Sequence, residues 1–306
     1  MNHSKIQHLE KAVSRLVMGV DNQTGLKPAS MVFDDFMARG GNCFDTAFVY
    51  GAGVCETVFG KWMEAGGVRD QVVLIGKGAH TPYCTPEGLS SQLETSLERL
   101  RTDFVDIYMM HRDNLEIPVS EFVDVLNDHA RAGRIKAFGG SNWSVARVQE
   151  ANDYAASKGL QGFSVVSNNF SLARMVDPPW TGCISASDAE SRAWLTKNQI
   201  TLLPWSSQAR GFFVRGDERF LEDDELVRCW YAPDNFVRLE RAKELALEKH
   251  CDPIQIALAY VLHQPFPTIP LIGPRNTSET ASSFKALEIE LTPLEVKWLN
   301  LEPETR

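Results

Sequence analysis

Eight short apolar runs punctuate this sequence, and longer amphipathic runs fill the intervals between them. The apolar runs are "RLVMG" (15–19), "NCFD" (42–45), "VVLIG" (72–76), "FVDIYMM" (104–110), "RIKAFG" (134–139), "FSVVS" (163–167), "ITLLPW" (200–205) and "TIPLIG" (268–273). Several are near-continuously apolar, as strands buried on both faces require. Between them, "TPEGLSSQLETSLERL" (85–100) places Leu89, Leu93, Leu97 and Leu100 on one helical face, with Thr85 as N-cap and Pro86 at the first helical position. "PASMVFDDFMARGG" stops on Gly40 and Gly41, and "VSEFVDVLNDHARAGR" stops at Gly133. Residues 144–157, 186–198 and 234–250 also read as helices. Eight strand-then-helix units predict an eight-stranded parallel α/β barrel, a (β/α)8 TIM barrel, and 306 residues suit one. The rival is a doubly wound open sheet, which usually carries a glycine-rich phosphate loop after its first strand. Here that strand runs into "GVDNQTG", with no GxGxxG.

No linker, low-complexity stretch or short-period repeat divides the chain, so one domain over 1–306 is the economical reading. Two segments exceed what a barrel needs, 170–185 and 206–233. Both follow strands, on the C-terminal face where barrel active sites are built, and long loops there are commonly lids or binding loops.

Polar residues fall where the strands end. Asp45 ends the second, and Tyr50 lies in the loop after it. Lys77 follows "VVLIG", His111 follows "FVDIYMM", and Ser141 and Asn142 follow "RIKAFGG". Lysine and histidine are costly to bury unless paired. Each has a plainer reading: Asp45 as a helix cap, Lys77 snorkelling to solvent, His111 as a satisfied core histidine, "SN" as the N-cap before "WSVARVQEA". Several such residues at the strand ends of one barrel point instead to a site.

The bulk numbers exclude several classes. Formal net charge is −9, with no basic block or stripe for nucleic acid and no basic amphipathic segment for a membrane surface. No run approaches the about 20 apolar residues needed to span a bilayer, and the N-terminus lacks a continuous apolar signal core, so a cytoplasmic protein is expected. Cys43, Cys55, Cys84, Cys183, Cys229 and Cys251 form neither CxxC nor a zinc-spaced set and read as reduced thiols; no metal site is expected.

Longer motifs carry a family resemblance. "FDTAFVYGAGVCETVFGKWM", "VVLIGKGAH", "SLERLRTDFVDIYMMHRDN", "GRIKAFGGSNW", "LLPWSSQARGFF" and "IGPRNTSETASSFKALEIELTPLEVKWLN" occur in the order and at the spacing of the aldo-keto reductases, which the chain resembles over nearly its whole length. The resemblance implies a (β/α)8 barrel and a nicotinamide dinucleotide, NADP(H) first and NAD(H) second, bound without a Rossmann fold. The family's catalytic Asp, Tyr, Lys and His correspond to Asp45, Tyr50, Lys77 and His111. The chemistry suits these types: carbonyl reduction needs a hydride on carbon and a proton on oxygen. Tyrosine, with an ordinary pKa of about 10, becomes a usable acid beside a lysine cation. Asp45 would hold that cation, and His111 would orient the substrate carbonyl.

For the cofactor, the resemblance points to Ser141 and Asn142 at the nicotinamide carboxamide and to Trp205 stacked on the ring, where tyrosine is commoner. Ser167 replaces the usual glutamine, so that contact would be lost, water-mediated or taken over by Asn168 or Asn169. "SSQARG" replaces the family's pyrophosphate loop, with Ser206, Gln208, Arg210 and Gly211 as contacts. Gly19, Asp45 and Gly273 complete that side. At the adenosine end, Glu279 stands where an arginine often meets the 2′-phosphate, Arg275 is the alternative cation, and Ser282 and Ser283 stand where Glu-Asn often binds adenine.

For the substrate, Tyr50 and His111 are joined by Asp21, Asn22, His80 and Arg112, with Trp143 as a flat apolar wall. That mix suits a hydroxylated, sugar-like carbonyl compound. Asp21 and Asn22 also fit a plain turn. The same site would oxidise a sugar alcohol in reverse. The other readings are a cofactor-binding redox sensor of the same fold and a non-redox barrel enzyme, which would want paired carboxylates or metal ligands. The short N-terminus suggests an abridged form of the hairpin that plugs the barrel bottom in relatives, and a monomer or small homo-oligomer is expected.

Overall fold

A computed structural model describes residues 3–217 and 221–302. Their contacts form two compact units, one of Met1–Ser167 with Gly273–Thr277, the other of Asn168–Ile272 with Ser278–Arg306.

The first unit opens with a short antiparallel pair, β1 (His3–Ser4) and β2 (Val13–Ser14). Six parallel strands then follow in sequence order: β3 (Val17–Gly19), β4 (Cys43–Asp45), β5 (Val73–Gly78), β6 (Val105–Met110), β7 (Ile135–Ser141) and β8 (Val165–Ser167). Each pairs with the next, with Gly19 opposite Asp45, Asp45 opposite Ile75, Lys77 opposite Met109, and Ser141 opposite Ser167. Every residue of β5 and β6 is buried, which explains their unbroken apolar character. β5 runs two residues beyond the expected end, so Lys77 lies inside the strand rather than after it.

The helices between the strands are α1 (Leu26–Ala38), α2 (Val54–Gly66), α3 (Pro86–Leu100), α4 (Val119–Arg131) and α5 (Val145–Lys158). Thr85 caps α3 as expected, accepting from the Gly88 N–H at 3.0 Å. The cap of α5 is Ser144, which accepts from the Arg147 N–H, so Ser141 and Asn142 are not spent on capping. Phe33 and Phe36 of α1, Phe44 of β4, and Phe59 and Trp62 of α2 pack with ring centroids 5.0–5.6 Å apart. Such pairs add about 0.5–1.5 kcal/mol each beyond area burial, and here they press α1 and α2 onto β4. A Cβ on Gly60 would lie 2.4 Å from the Arg99 carbonyl oxygen, so this glycine lets α2 close on α3.

The second unit contains β9 (Thr201–Leu202) and β10 (Leu271–Ile272). Parallel bridges join Asn169 to Trp205 and Leu202 to Thr268, and the Leu271 N–H donates to the Pro204 carbonyl at 3.0 Å. Its helices are α6 (Ala189–Asn198), α7 (Phe212–Arg215), α8 (Asp224–Trp230), α9 (Pro233–Glu248), α10 (Pro253–Leu262), α11 (Thr277–Lys285) and α12 (Pro293–Leu299). The stretch 206–233 is therefore not an open loop, since α7 and α8 lie within it. It is tied to 170–185 by the Val176 N–H on the Cys229 carbonyl, 2.9 Å, and by Arg228 on the Pro178 carbonyl, 2.9 Å. From Gln255 to Leu262 α10 is buried all round, so it shows no amphipathic stripe to read. Among the described residues no helix is long and apolar enough to cross a membrane. All six cysteines are unbridged.

Candidate active site

Parallel pairing of β4 with β5 brings Asp45 and Lys77 to neighbouring strand ends, although 32 residues separate them. The Lys77 ammonium donates to both carboxylate oxygens of Asp45. Asp45 is 3% exposed and Lys77 2%. Burial pushes the Asp45 carboxyl up from its ordinary range, Lys77 pulls it back, and the nearby charge of Asp21 adds to the rise. The lysine does not snorkel, and the aspartate does not cap a helix.

Tyr50 begins a tight turn, Tyr50–Gly53, leading into α2. Strand β5 anchors the segment before it: the Thr46 N–H donates to the Ile75 carbonyl at 2.9 Å and the Phe48 N–H to the Lys77 carbonyl at 2.8 Å. The Lys77 Nζ lies 5.0 Å from the centroid of the Tyr50 ring. His111 follows β6 and is held by its N–H on the Gly78 carbonyl, 2.7 Å. Its ring meets that of Tyr50 edge-on, with centroids 5.7 Å apart at 87°. Burial drives the His111 imidazole well below its ordinary pKa, and the charges of Lys77, Arg112 and His80 add to the effect. His111 is thus neutral near pH 7, and its buried Nδ1 has no hydrogen-bond partner.

At the end of β7 the Ser141 hydroxyl donates to the Ser167 carbonyl at 2.9 Å, and the Asn142 N–H donates to the same oxygen at 3.2 Å. Ser167 thus contributes its backbone carbonyl to this corner. Asn142 adopts φ 60°, which is uncommon for a residue other than glycine. Its side-chain amide reaches the His111 carbonyl at 3.5 Å, joining the β7 corner to the histidine. His80 stands edge-on to His111, centroids 5.0 Å apart. Asp21 and Asn22 are exposed, and Asn22 and Gln23 donate to the carbonyls of Gly273 and Pro274 at 3.4 and 3.3 Å.

One substrate-side expectation needs correction. Trp143 is fully buried, with its indole N–H on the Arg112 carbonyl at 3.1 Å and its ring against Phe122 and Phe163. A ring with no exposed surface forms no pocket wall, and Trp143 belongs to the core behind His111 and Arg112. Arg112 is 8% exposed and its guanidinium folds back onto the His111 carbonyl at 2.9 Å, bracing the histidine backbone.

In the second unit, Trp205 is half-buried, with Trp180 6.4 Å away between ring centroids. Arg210 lies over Trp180 and pairs with Glu225 at 2.8 Å. Ser206, Ala209, Arg210 and Gly211 all have positive φ, 48–87°, which folds the segment tightly and includes Gln208. Asn169 donates to the Trp205 carbonyl at 3.2 Å, so its amide is engaged with the chain. Ser282 accepts from Gln255 at 3.0 Å, and Ser283, buried in α11, donates to the Glu279 carbonyl at 3.1 Å. Glu279 itself is exposed, as is Arg275 in the first unit.

The model of the aldo/keto reductase family matches residues 21–300. This chain belongs to the aldo/keto reductase family. Among curated relatives, the aldo-keto reductase is 28% identical to "Uncharacterized oxidoreductase YrpG" of Bacillus subtilis, over 94% of this chain and 91% of the relative. It is 27% identical to the aryl-alcohol dehydrogenase [NADP(+)] of Phanerodontia chrysosporium, over 88% and 74%, and 28% identical to norsolorinic acid reductase stcV of Emericella nidulans, over 88% and 70%. A solved structure, the thermostable aldo-keto reductase Tm1743 in complex with the inhibitor epalrestat, matches with a TM-score of 0.78 at 22% identity, over 99% of this chain and 100% of that one. That likeness shows the fold to be the (β/α)8 class expected from the eight strand-and-helix units. The family makes the chain an oxidoreductase.

Three residues of the aldo-keto reductase escaped sequence reasoning. Glu56 and Arg99 form a pair, 3.1 Å, in which Glu56 is fully buried. They are 43 residues apart, and nothing local announces the pairing. Trp180, half exposed, lay inside a segment read only as a loop.

Proposed function

We propose that this aldo-keto reductase interconverts a polar, sugar-like aldehyde or ketone and its alcohol, with NADP(H) as the favoured cofactor and Tyr50 as the proton donor and acceptor. The observation that carries the reading is the cluster in which buried Lys77 bonds buried Asp45 and lies 5.0 Å from the Tyr50 ring centroid, with His111 edge-on to the same tyrosine.

The donor set suits a nicotinamide dinucleotide. Asn142 and Ser141 offer an amide and a hydroxyl at the end of β7, matched to a carboxamide. A Cβ on Gly273 would meet nothing within 4 Å, leaving open space for close backbone approach. Arg275 is an exposed cation two residues on, suited to a phosphate. The second-unit residues Trp205, Ser206, Gln208, Arg210, Gly211, Glu279, Ser282 and Ser283 stay in the reading on the family resemblance. Relatives named for NADP(+), among them the aryl-alcohol dehydrogenase, support the phosphorylated form. A dinucleotide held there would supply or take the hydride.

The chain's own residues handle the proton. A cation beside a phenol favours the phenolate and so makes Tyr50 a stronger acid than free tyrosine. Asp45 fixes the position of that cation. Neutral His111 keeps one ring N–H to donate to the substrate oxygen, and the Tyr50 hydroxyl donates to the same oxygen, so the developing negative charge meets two donors. In reduction the phenolic proton passes to that oxygen and Tyr50 is reprotonated from solvent. In oxidation the phenolate takes it back. Asp21, Asn22 and His80 give the substrate side its polar character.

The test is nucleotide oxidation with a panel of sugar and simple aldehydes, for the wild type and Tyr50→Phe. Turnover should fall at least a thousandfold in the variant with NADPH affinity kept within about twofold. Near-wild-type turnover in Tyr50→Phe would remove the tyrosine from the chemistry. Tight nucleotide binding with no carbonyl reduced would favour a redox sensor instead.

A further inference from the structure

We propose that Arg99, held by the buried carboxylate of Glu56, is a positioning residue that fixes the turn carrying Tyr50. The proposal rests on the reading of Tyr50 as the proton donor.

Arg99 sits in the last turn of α3, and one of its guanidinium nitrogens, Nη1, serves two partners. It donates to Glu56 Oε2 at 3.1 Å and to the Phe48 carbonyl at 3.0 Å. The guanidinium also lies over the Phe48 ring, 4.5 Å from its centroid. Phe48 is therefore gripped from both sides. Its N–H is on the Lys77 carbonyl, on the strand that carries the catalytic ammonium, and its own carbonyl is on Arg99. Tyr50 is two residues further on.

The backbone after Tyr50 needs such a grip. Gly51, Ala52 and Gly53 are all left-handed, with φ of 53°, 53° and 91°. Alanine is disfavoured there, and strain of this kind persists only where the surroundings over-determine it. The arginine also lies against Gly53, since a Cβ at that position would be 2.5 Å from Arg99 Cζ. Packing does not do the whole task. Ala52 and Gly53 border an open cavity of about 440 Å³, together with Thr24, Leu26, Lys61 and Arg99. A turn that faces a hollow depends on its directed contacts. Glu56, fully buried at the start of α2, aims the guanidinium so that Nη1 meets the Phe48 carbonyl.

The experiment compares wild type, Arg99→Met, Arg99→Lys, Glu56→Gln and Tyr50→Phe. It measures kcat, KM, the Kd for NADPH, and amide hydrogen exchange of peptides covering 46–57 in protein without cofactor. Arg99→Met should lower kcat at least tenfold, leave the NADPH Kd within twofold, and speed exchange in 46–57 alone. Arg99→Lys, which keeps the charge but loses the shared fork, should recover part of kcat. Should Arg99→Met fail to fold, Glu56→Gln keeps the shape but removes the buried anion that aims the same guanidinium, and should give the same two changes. Wild-type kcat, or unchanged exchange in 46–57, in whichever of these variants folds would overturn the proposal. Tyr50→Phe separates the two claims. If it keeps turnover, the reading of Tyr50 fails, while the exchange measurement still decides whether Arg99 fixes the turn.

Discussion

The Lys77 ammonium bonds both carboxylate oxygens of Asp45 and stands 5.0 Å from the centre of the Tyr50 ring. One cation thus has a buried anion on one side and a phenol on the other. The carboxylate fixes where the cation sits, and on the proposed reading that cation stands beside the proton donor. On that reading stability and catalysis share this one group, and suitable variants should separate them.

Lys77→Met leaves the Asp45 carboxylate buried without its partner. Breaking a buried pair in this way costs about 3–5 kcal/mol, less whatever Asp45 recovers by taking up a proton. Turnover should fall by about 100-fold or more. The double variant Asp45→Asn/Lys77→Met should regain most of the stability and none of the turnover. Urea denaturation with parallel kcat measurements reads both. A double variant no more stable than Lys77→Met would show that the two side chains are uncoupled.

His111 makes stability depend on pH. Its folded pKa lies well below the ordinary value of 6.5, chiefly through burial. The unfolded chain therefore binds this proton at a higher pH than the folded one does. The contribution is fully present above about pH 6.5 and is lost as pH falls below it, by up to about 1.4 kcal/mol per pH unit. Thermal unfolding of wild type and His111→Gln between pH 7.5 and 5.5 should show the steeper loss in the wild type. Parallel curves would mean that His111 is no more reluctant to charge in the folded protein than in the unfolded chain.

Trp143 should behave as a core residue. Trp143→Ala is expected to cost about 3–5 kcal/mol, and Trp143→Phe less, through the lost bond to the Arg112 carbonyl. For Trp143→Phe the carbonyl-substrate KM should stay within about twofold while the melting temperature drops. A large change in KM with unchanged stability would return the residue to the pocket.

Arg275→Ala should raise the KM for NADPH by about 10–100-fold, the worth of a hydrogen bond to a charged group. The KM for NADH, which lacks the 2′-phosphate, should barely move. Equal changes for both nucleotides would assign Arg275 to something they share.

Much of this was legible in the sequence. Strands buried on both faces are nearly unbroken apolar runs, so β5 and β6 announced themselves, and amphipathic helices such as α3 carried their caps in view. The order of the motifs placed Asp45, Tyr50, Lys77 and His111 in one family pattern, and the match to the aldo/keto reductase family bears out that resemblance. Local sequence failed where burial is complete or contacts are remote. The all-round apolar helix α10 has no stripe to read, and 206–233 hid α7 and α8.

What the sequence determined by itself is periodicity and residue type: which segments are strands, and which chemistry is available near their C-terminal ends. What only the tertiary structure decided is which side chains face one another. Trp143 reads as a pocket wall from its place after Ser141 and Asn142, yet it turns inward onto Phe122 and Phe163. Arg99 lies in the last turn of α3 with nothing local to mark it, yet it lies within hydrogen-bonding distance of both Glu56 and the Phe48 carbonyl. Neither outcome is encoded within a few residues of the side chain concerned. Both follow from helices and strands distant in sequence packing against one another, and burial and pairing energies act only once that packing exists.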